Sequence, residues 1–433
     1  MGFIKKLRHR FVNLKRDSDK KRLIENFFSL SILQGANYLL PLVTLPYLTR
    51  VLGPEKFGLI AFAQAFIFYF IVITDYSFNL TASREISINR DQQRKVSEIF
   101  CSVILIKSVL MFLTLLFLII LMVMTEKFGE EWIVYSFAFG MVIGHVLFPL
   151  WFFQGIEKMR YIAILNILAK SIYTISIFIF IRRVEHYKFV PLLNSFGFIT
   201  TGVMGIVFAI KKFNVKLLIP SLNMIKINLK EGWHIFVSYL SSTLFTSSNV
   251  FLLGLFTNDT YVGYFAAGEK LIRAITHITI PVSNTIFPHV SQLLKKSKKE
   301  AFQFLRKIAH LGGSLFLLVS LFTFIFAPML VTLIFGMDYL ESILVLRILT
   351  ILPVSIFLDN IFGAQILVNL KKTKIILNIS IISGFLSIML LIILIPPFKH
   401  VGASISVLVT QLFIAVTTYY YARKQGFNLF NSR

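Results

Sequence analysis

Ile99–Met124 reads IFCSVILIKSVLMFLTLLFLIILMVM, twenty-six residues with one charged group, Lys107. A helix of about 20 apolar residues crosses a bilayer core roughly 30 Å thick, so this run is long enough to span. Eleven more runs of the same kind lie at about 26–49, 57–80, 132–153, 161–181, 189–210, 233–256, 262–290, 308–335, 342–369, 375–396 and 400–422. Pro41, Pro46, Pro149, Pro281, Pro328 and Pro353 fall inside them. Membrane helices tolerate proline because neighbouring helices and side chains satisfy the freed backbone groups. No run alternates with a period of two, as a barrel strand would. The spacing predicts an all-α membrane protein of about twelve transmembrane helices.

Composition agrees. The 433 residues are 56% hydrophobic and only 15% charged, with 46 Phe, against about 45–50% and about 25% in ordinary soluble domains. Soluble, disordered and disulfide-rich classes are excluded. The single cysteine, Cys101, cannot close an internal disulfide and has no metal-site spacing. No GxxxxGK[ST], HExxH or CxxC pattern occurs, so neither nucleotide hydrolysis nor a metal or other cofactor is expected. His145 and His310 read as packed or hydrogen-bonded residues rather than ligands. No outer loop is long enough for a catalytic domain, so the chain does not read as an enzyme.

Orientation follows from the loops. With the N-terminus in the cytoplasm, 32 Lys and Arg residues fall in inside segments and 7 in outside loops, a strong positive-inside bias. The net charge of +24 is therefore a topology signal spread over seven segments, and nucleic acid is not an expected partner. The basic segment 1–25 fits either an amphipathic helix on anionic lipid or a retained orientation signal.

The longest polar interruption, 211–232, carries Lys211, Lys212, Lys216, Lys226 and Lys230. It links two halves of six spans, 26–210 and 233–422, with a tail at 423–433. A local echo crosses it: Gly58-Leu59-Ile60-Ala61-Phe62-Ala63-Gln64 and Gly263-Tyr264-Phe265-Ala266-Ala267-Gly268-Glu269 open the second span of each half. Six spans per half start both halves on the same side, so the repeats relate about an axis along the membrane normal. Two six-helix bundles with a central cavity are the expected consequence.

Ionisable groups inside spans cost roughly 2.5–3.5 kcal/mol each on insertion scales and generally face a cavity or a partner. Here they are Lys107, Lys170, Lys270, Arg273 and Arg347 against Asp75, Glu269 and Asp359, a surplus of two positive charges. Arg347 lies near the outer end of its span and is placed to snorkel. In the eighth span, Lys270, Arg273, His277 and Asn284 fall within about 60° at helical spacing. Glu269 and Arg273 stand at i,i+4, the spacing of an intrahelical ion pair. Gln64 and Asp75 share a face of the second span. A cavity with surplus cations favours an anion, and Arg and Lys suit diphosphate. Asp75, Glu269 and Asp359 fit two roles, ion-pair partner or proton carrier.

Leu45-Pro46-Tyr47-Leu48-Thr49-Arg50-Val51-Leu52-Gly53-Pro54-Glu55-Lys56-Phe57-Gly58 resembles the loop between the first two spans of bacterial polysaccharide flippases. Asp75–Ile86 is similar to that family's second-span exit, and Val262–Leu271 to its eighth-span opening. The family is the O-antigen (Wzx-type) branch of the multidrug/oligosaccharidyl-lipid/polysaccharide exporter superfamily. The resemblance implies a V-shaped pair of bundles in the bacterial inner membrane. It also implies an undecaprenyl-diphosphate-linked oligosaccharide moved between leaflets through a cationic cavity.

On this reading Arg273, Lys270, Lys170 and Lys107 hold the diphosphate; Asn37, Gln64, Asn249 and His277 contact sugar; and Asp75, Glu269 and Asp359 couple ions or pair with the bases. Besides its lipid-linked substrate, the chain is expected to meet membrane lipids and other polysaccharide-assembly proteins. The rival readings are a small-molecule exporter of the same superfamily and a membrane polymerase or acyltransferase of polysaccharide assembly.

Overall fold

A computed structural model describes residues 2–429, without the side chains of 2–34, 36–39, 241–242 and 244–247. Among the described residues there is no strand. Helices stand at each of the twelve expected runs, several joined end to end. Gly2–Asp75 holds the first two, Thr373–Lys424 the last two. Between them run Gln93–Met124, Trp132–Leu147, Met159–Phe180, Phe189–Lys211, Leu222–Phe256, Asp259–Thr276, Thr279–Lys296, Lys298–Ile325, Ala327–Ile334 and Ser342–Leu349, with shorter pieces at the breaks.

Glycine and proline mark where the helices bend. Gly53 has φ +68° and is followed by Pro54, a pairing that turns the chain and starts a new helical segment. Pro149 caps Leu150–Gly155, and Pro328 and Pro353 sit in the first turn of restarted helices. The eighth run is interrupted: Asp259–Thr276 ends at His277, and a second helix begins at Thr279. The single helical face expected from Lys270 to Asn284 is thereby broken after its first three members.

The chain groups into two compact units that interleave along the sequence. One comprises Met1–Leu40, Phe70–Ser176 and Leu192–Phe236. Its core is aromatic: Trp151, Phe152, Phe153, Phe100 and Tyr135 are buried, with Phe100 edge-on to Phe152 at 5.4 Å. The Gln93–Met124 helix turns Phe100, Val103 and Ile106 inward and leaves Phe112, Leu113, Phe117 and Ile120 exposed. An exposed apolar face of that size is unfavourable in water and is what lipid covers.

The other unit comprises Pro41–Tyr69, Ile177–Pro191 and Val237–Arg433. Within it the two echoing stretches lie against each other. A Cβ on Gly58 would strike the Asp259 carbonyl and the Gly263 nitrogen; one on Gly263 would strike the Pro54 carbonyl. Close backbone approach through small residues is how membrane helices gain packing where water supplies no hydrophobic drive. Phe62 and Phe251 stack beside the crossing at 5.7 Å.

Gly58→Ala and Gly263→Ala are each expected to cost about 1–3 kcal/mol or more by overpacking, read as loss of folded protein in detergent. Gly313, whose Cβ would meet only Leu358 at 3.7 Å, is expected to accept alanine with unchanged yield.

Candidate functional site

The first unit contains a cavity lined by Asp75, Asn79, Lys107, His145, Asn166 and Thr201, with Phe148, Leu150 and Phe198 as its apolar wall. Lys107 is the residue around which it is built. Its side chain is 3% exposed, and its ammonium donates to Asp75 Oδ1 at 3.4 Å and to the His145 carbonyl at 3.2 Å. The second acceptor has a local cause. In a continuous helix the His145 carbonyl would accept from residue 149, but Pro149 has no N–H. The orphaned carbonyl is satisfied by the lysine instead.

Asp75 is placed by another break. It ends the Gly2–Asp75 helix, and Tyr76 and Ser77 follow with φ +45° and +64° before Phe78 restarts the helix. Two successive non-glycine residues in that region need support. Tyr76 donates to the Leu229 carbonyl at 3.1 Å, Ser77 to the Gly232 carbonyl at 3.3 Å, and Tyr76 stacks on Phe236 at 4.6 Å. Asn79 donates to Asp75 Oδ2 at 2.8 Å. The carboxylate is thus held from both sides, and Asn79 Oδ1 stays buried with no hydrogen-bond partner. Asn79, Asn166 and Thr201 escape sequence reasoning as site residues. Asn79 was the most accessible, at i,i+4 from Asp75.

Lys170 lies one helical turn beyond Asn166, half-buried and without a carboxylate partner among the described residues. The cavity therefore brings Lys107 and Asp75 together, with Lys170 a turn away from its edge.

The second unit carries the remaining charges. Arg273 donates through Nη2 and Nε to Glu269 Oε1 at 2.7 and 3.0 Å, the expected i,i+4 pair, with Glu269 buried and the arginine side chain 52% exposed. Lys270 is exposed, and its ammonium lies 4.8 Å from the centre of the Phe57 ring. Asp359 accepts from Thr418 at 2.9 Å. Arg347 packs over Phe324 at 5.5 Å. Of the charges in the spans, Lys107 with Asp75 and Arg273 with Glu269 form salt bridges, and Lys170, Lys270, Arg347 and Asp359 stand outside any salt bridge among the described residues.

Of the neutral residues, Gln64 and His277 are half-buried and Asn249 is buried with Oδ1 unpartnered. The side chain of Asn37 lies outside the described residues. The histidines follow the expectation of packing or hydrogen bonding: His145 sits 4.8 Å from the Phe198 ring, and His310 Nε2 bonds the Leu429 carbonyl at 3.0 Å.

Helical spans, charges buried in pairs and an apolar exterior define a multi-pass, all-helical membrane protein. The chain belongs to the polysaccharide biosynthesis protein family, whose sequence pattern matches residues 23–294. A relative from Escherichia coli (strain K12), described as a candidate O-antigen transporter, is 30% identical over 402 residues, 92% of this chain and 96% of its own. Two solved structures share the fold with a TM-score of 0.68. One is an inward-facing multidrug resistance MATE family transporter at 14% identity, covering 89% of this chain and 94% of its own. The other is the lipid II flippase MurJ in an inward closed conformation at 12% identity, covering 93% and 87%. That likeness extends over the whole two-bundle, twelve-helix architecture.

Removing one member of a buried ion pair strands the other, a loss of about 3–5 kcal/mol. Lys107→Met is expected to lower the melting temperature of the purified protein markedly. Lys107→Met combined with Asp75→Asn, which removes both charges, is expected to recover most of that loss.

Proposed function

We propose that this protein is a flippase. It moves an undecaprenyl-diphosphate-linked oligosaccharide from the cytoplasmic to the periplasmic leaflet of the bacterial inner membrane, supplying O-antigen or a related surface polysaccharide. The full-length relatedness to a candidate O-antigen transporter supports this reading, as does the family itself. The step is translocation, and no bond is made or broken. The halves 26–210 and 233–422, joined by the cytoplasmic linker 211–232, rock in alternating access, with both termini in the cytoplasm.

One observation carries the substrate class: once the salt bridges are counted, three cations and one carboxylate of the spans stand outside them among the described residues, a surplus of two positive charges. Surplus cations of this kind favour a dianionic head group and disfavour a cation. Lys270, exposed above Phe57, supplies a point charge. Arg273 uses Nε and Nη2 on Glu269, so its remaining N–H groups are available to a phosphate oxygen. Glu269 holds the guanidinium in a fixed orientation, which lowers the entropy lost on binding. Lys170 and Lys107 add to the diphosphate field from the first bundle. Gln64, Asn37, Asn249 and His277 contact sugar. Asp359, lacking a base, is the carboxylate best suited to carry a proton on the return stroke; Asp75 and Glu269 serve as ion-pair partners. The prenyl tail stays in lipid throughout.

In a deletion strain, lipid-linked repeat units are expected to accumulate on the cytoplasmic leaflet, and Arg273→Ala is expected to restore less than a tenth of surface polysaccharide at normal membrane level. Full complementation by Arg273→Ala and Lys270→Ala would overturn the diphosphate assignment. Resistance to cationic compounds that depends on the gene, with leaflet distribution unchanged, would identify a small-molecule exporter instead.

A further inference from the structure

Outside the charges already assigned, two titratable rings among the described residues of the second unit are buried without a hydrogen bond, Tyr339 and His400. His400 is 5% exposed, and neither Nδ1 nor Nε2 has a hydrogen-bond partner. Buried polar atoms are nearly always satisfied, so a ring left bare at both nitrogens is unusual. Its Nε2 stands 3.7 Å from Glu341 Oε2, just beyond hydrogen-bond distance, and the Glu341 side chain is 63% exposed.

The surroundings are built. The ring stacks on Tyr261 at 5.3 Å with planes 10° apart and meets Tyr264 at 5.6 Å. Lys399 donates to the Tyr261 hydroxyl at 2.6 Å, with its ammonium 4.4 Å from that ring's centre. Lys399 holds φ +52°, ψ −127° within the Thr373–Lys424 helix, a conformation that costs a non-glycine residue strain and marks over-determined positions. The charged and titratable groups around His400 are therefore Glu341 and Asp338 from the turn at 337–341, Tyr339 from the same turn, Tyr261 and Tyr264 from the eighth span, and Lys399 from its own chain. Tyr339 meets Tyr264 at 6.2 Å and Phe57 at 6.3 Å, and Phe57 lies beneath Lys270. An unbroken run of rings thus connects His400 to a cation assigned to the substrate.

We infer that His400 and Glu341 form a proton-binding site which, when occupied, fastens the outer ends of the eighth, tenth and twelfth spans to one another. The proton is taken from bulk water onto the imidazole. The resulting imidazolium and the Glu341 carboxylate then close the 3.7 Å gap into a charge-assisted hydrogen bond. Lys399 opposes the charge and Glu341 favours it, so the two nearest charges set the site against each other. Imidazole is the side chain whose ordinary titration falls in the physiological range, and the fastened form is present below the midpoint and lost above it. The compartment whose acidity is sensed rests on the proposed orientation, which makes it the periplasm; the proton site itself does not.

The test uses the full chain in lipid nanodiscs with ring-labelled histidine. A spin label at Phe398→Cys, in a Cys101→Ser background, identifies the His400 signal by its broadening. That signal is expected to titrate as pH falls, and Glu341→Gln is expected to move its midpoint down by about half a pH unit. With a second label at Leu340→Cys, the distance between labels is expected to shorten as pH falls through the midpoint, and to stay constant in Glu341→Gln. A His400 signal that does not titrate, a midpoint indifferent to Glu341→Gln, or a label distance indifferent to pH would each overturn the inference. None of these readouts requires translocation, so they stand or fall separately from the flippase assignment.

Discussion

Lys107 is a buried amine inside a membrane span, and the first unit is arranged to accommodate it. Its ammonium finds one acceptor in Asp75 and another in the His145 carbonyl. Each acceptor exists because a helix breaks nearby. Pro149 removes the donor that the His145 carbonyl would otherwise bond, and the turn at Tyr76–Ser77 ends the helix at Asp75. The turn is in its own right held by Leu229, Gly232 and Phe236. Three helices and the start of a fourth are thereby tied to one ionic contact. The low dielectric that makes an unpaired charge so unfavourable is what makes this arrangement specific.

Pairing also determines which charges of the spans stay outside a salt bridge. Five cations and three carboxylates lie in the spans. One ion pair lies within a single helix turn; the other joins two helices beside the cavity. They position Arg273 and Lys107 without removing the surplus, which now resides on Lys170, Lys270 and Arg347. Arg347 lies over Phe324 and is accounted for by packing, whereas Lys270 is exposed. A lysine ammonium over an aromatic face is weakly held, and a stronger anionic partner draws it away easily.

In the second unit, packing rather than charge sets the geometry. The glycine crossing at 58 and 263 lets two backbones approach within the reach of a single Cβ. The Phe62–Phe251 rings stack, and Tyr261 at the start of the eighth-span helix stacks on His400. That helix carries Glu269, Lys270 and Arg273. Its N-terminal end is fixed by aromatic contacts and its C-terminal end stops at His277, where the chain turns. The turn explains why helical counting carries from Lys270 to His277 and not on to Asn284.

Hydropathy and loop charge were sufficient for the twelve helical runs, the membrane environment and the short-range pair Glu269–Arg273, because these depend on composition and on spacing within one helix. The echo of Gly58 and Gly263 was visible as a repeat, but not as a contact. That Lys107 meets Asp75, that Pro149 liberates a carbonyl for it, and that His400 stacks on Tyr261 beside Glu341 could not be read from order along the chain. These contacts join residues dozens to more than a hundred positions apart, and their partners are selected by how helices break and pack. A bilayer dictates that a charge must find a partner; the folded chain dictates which one it finds.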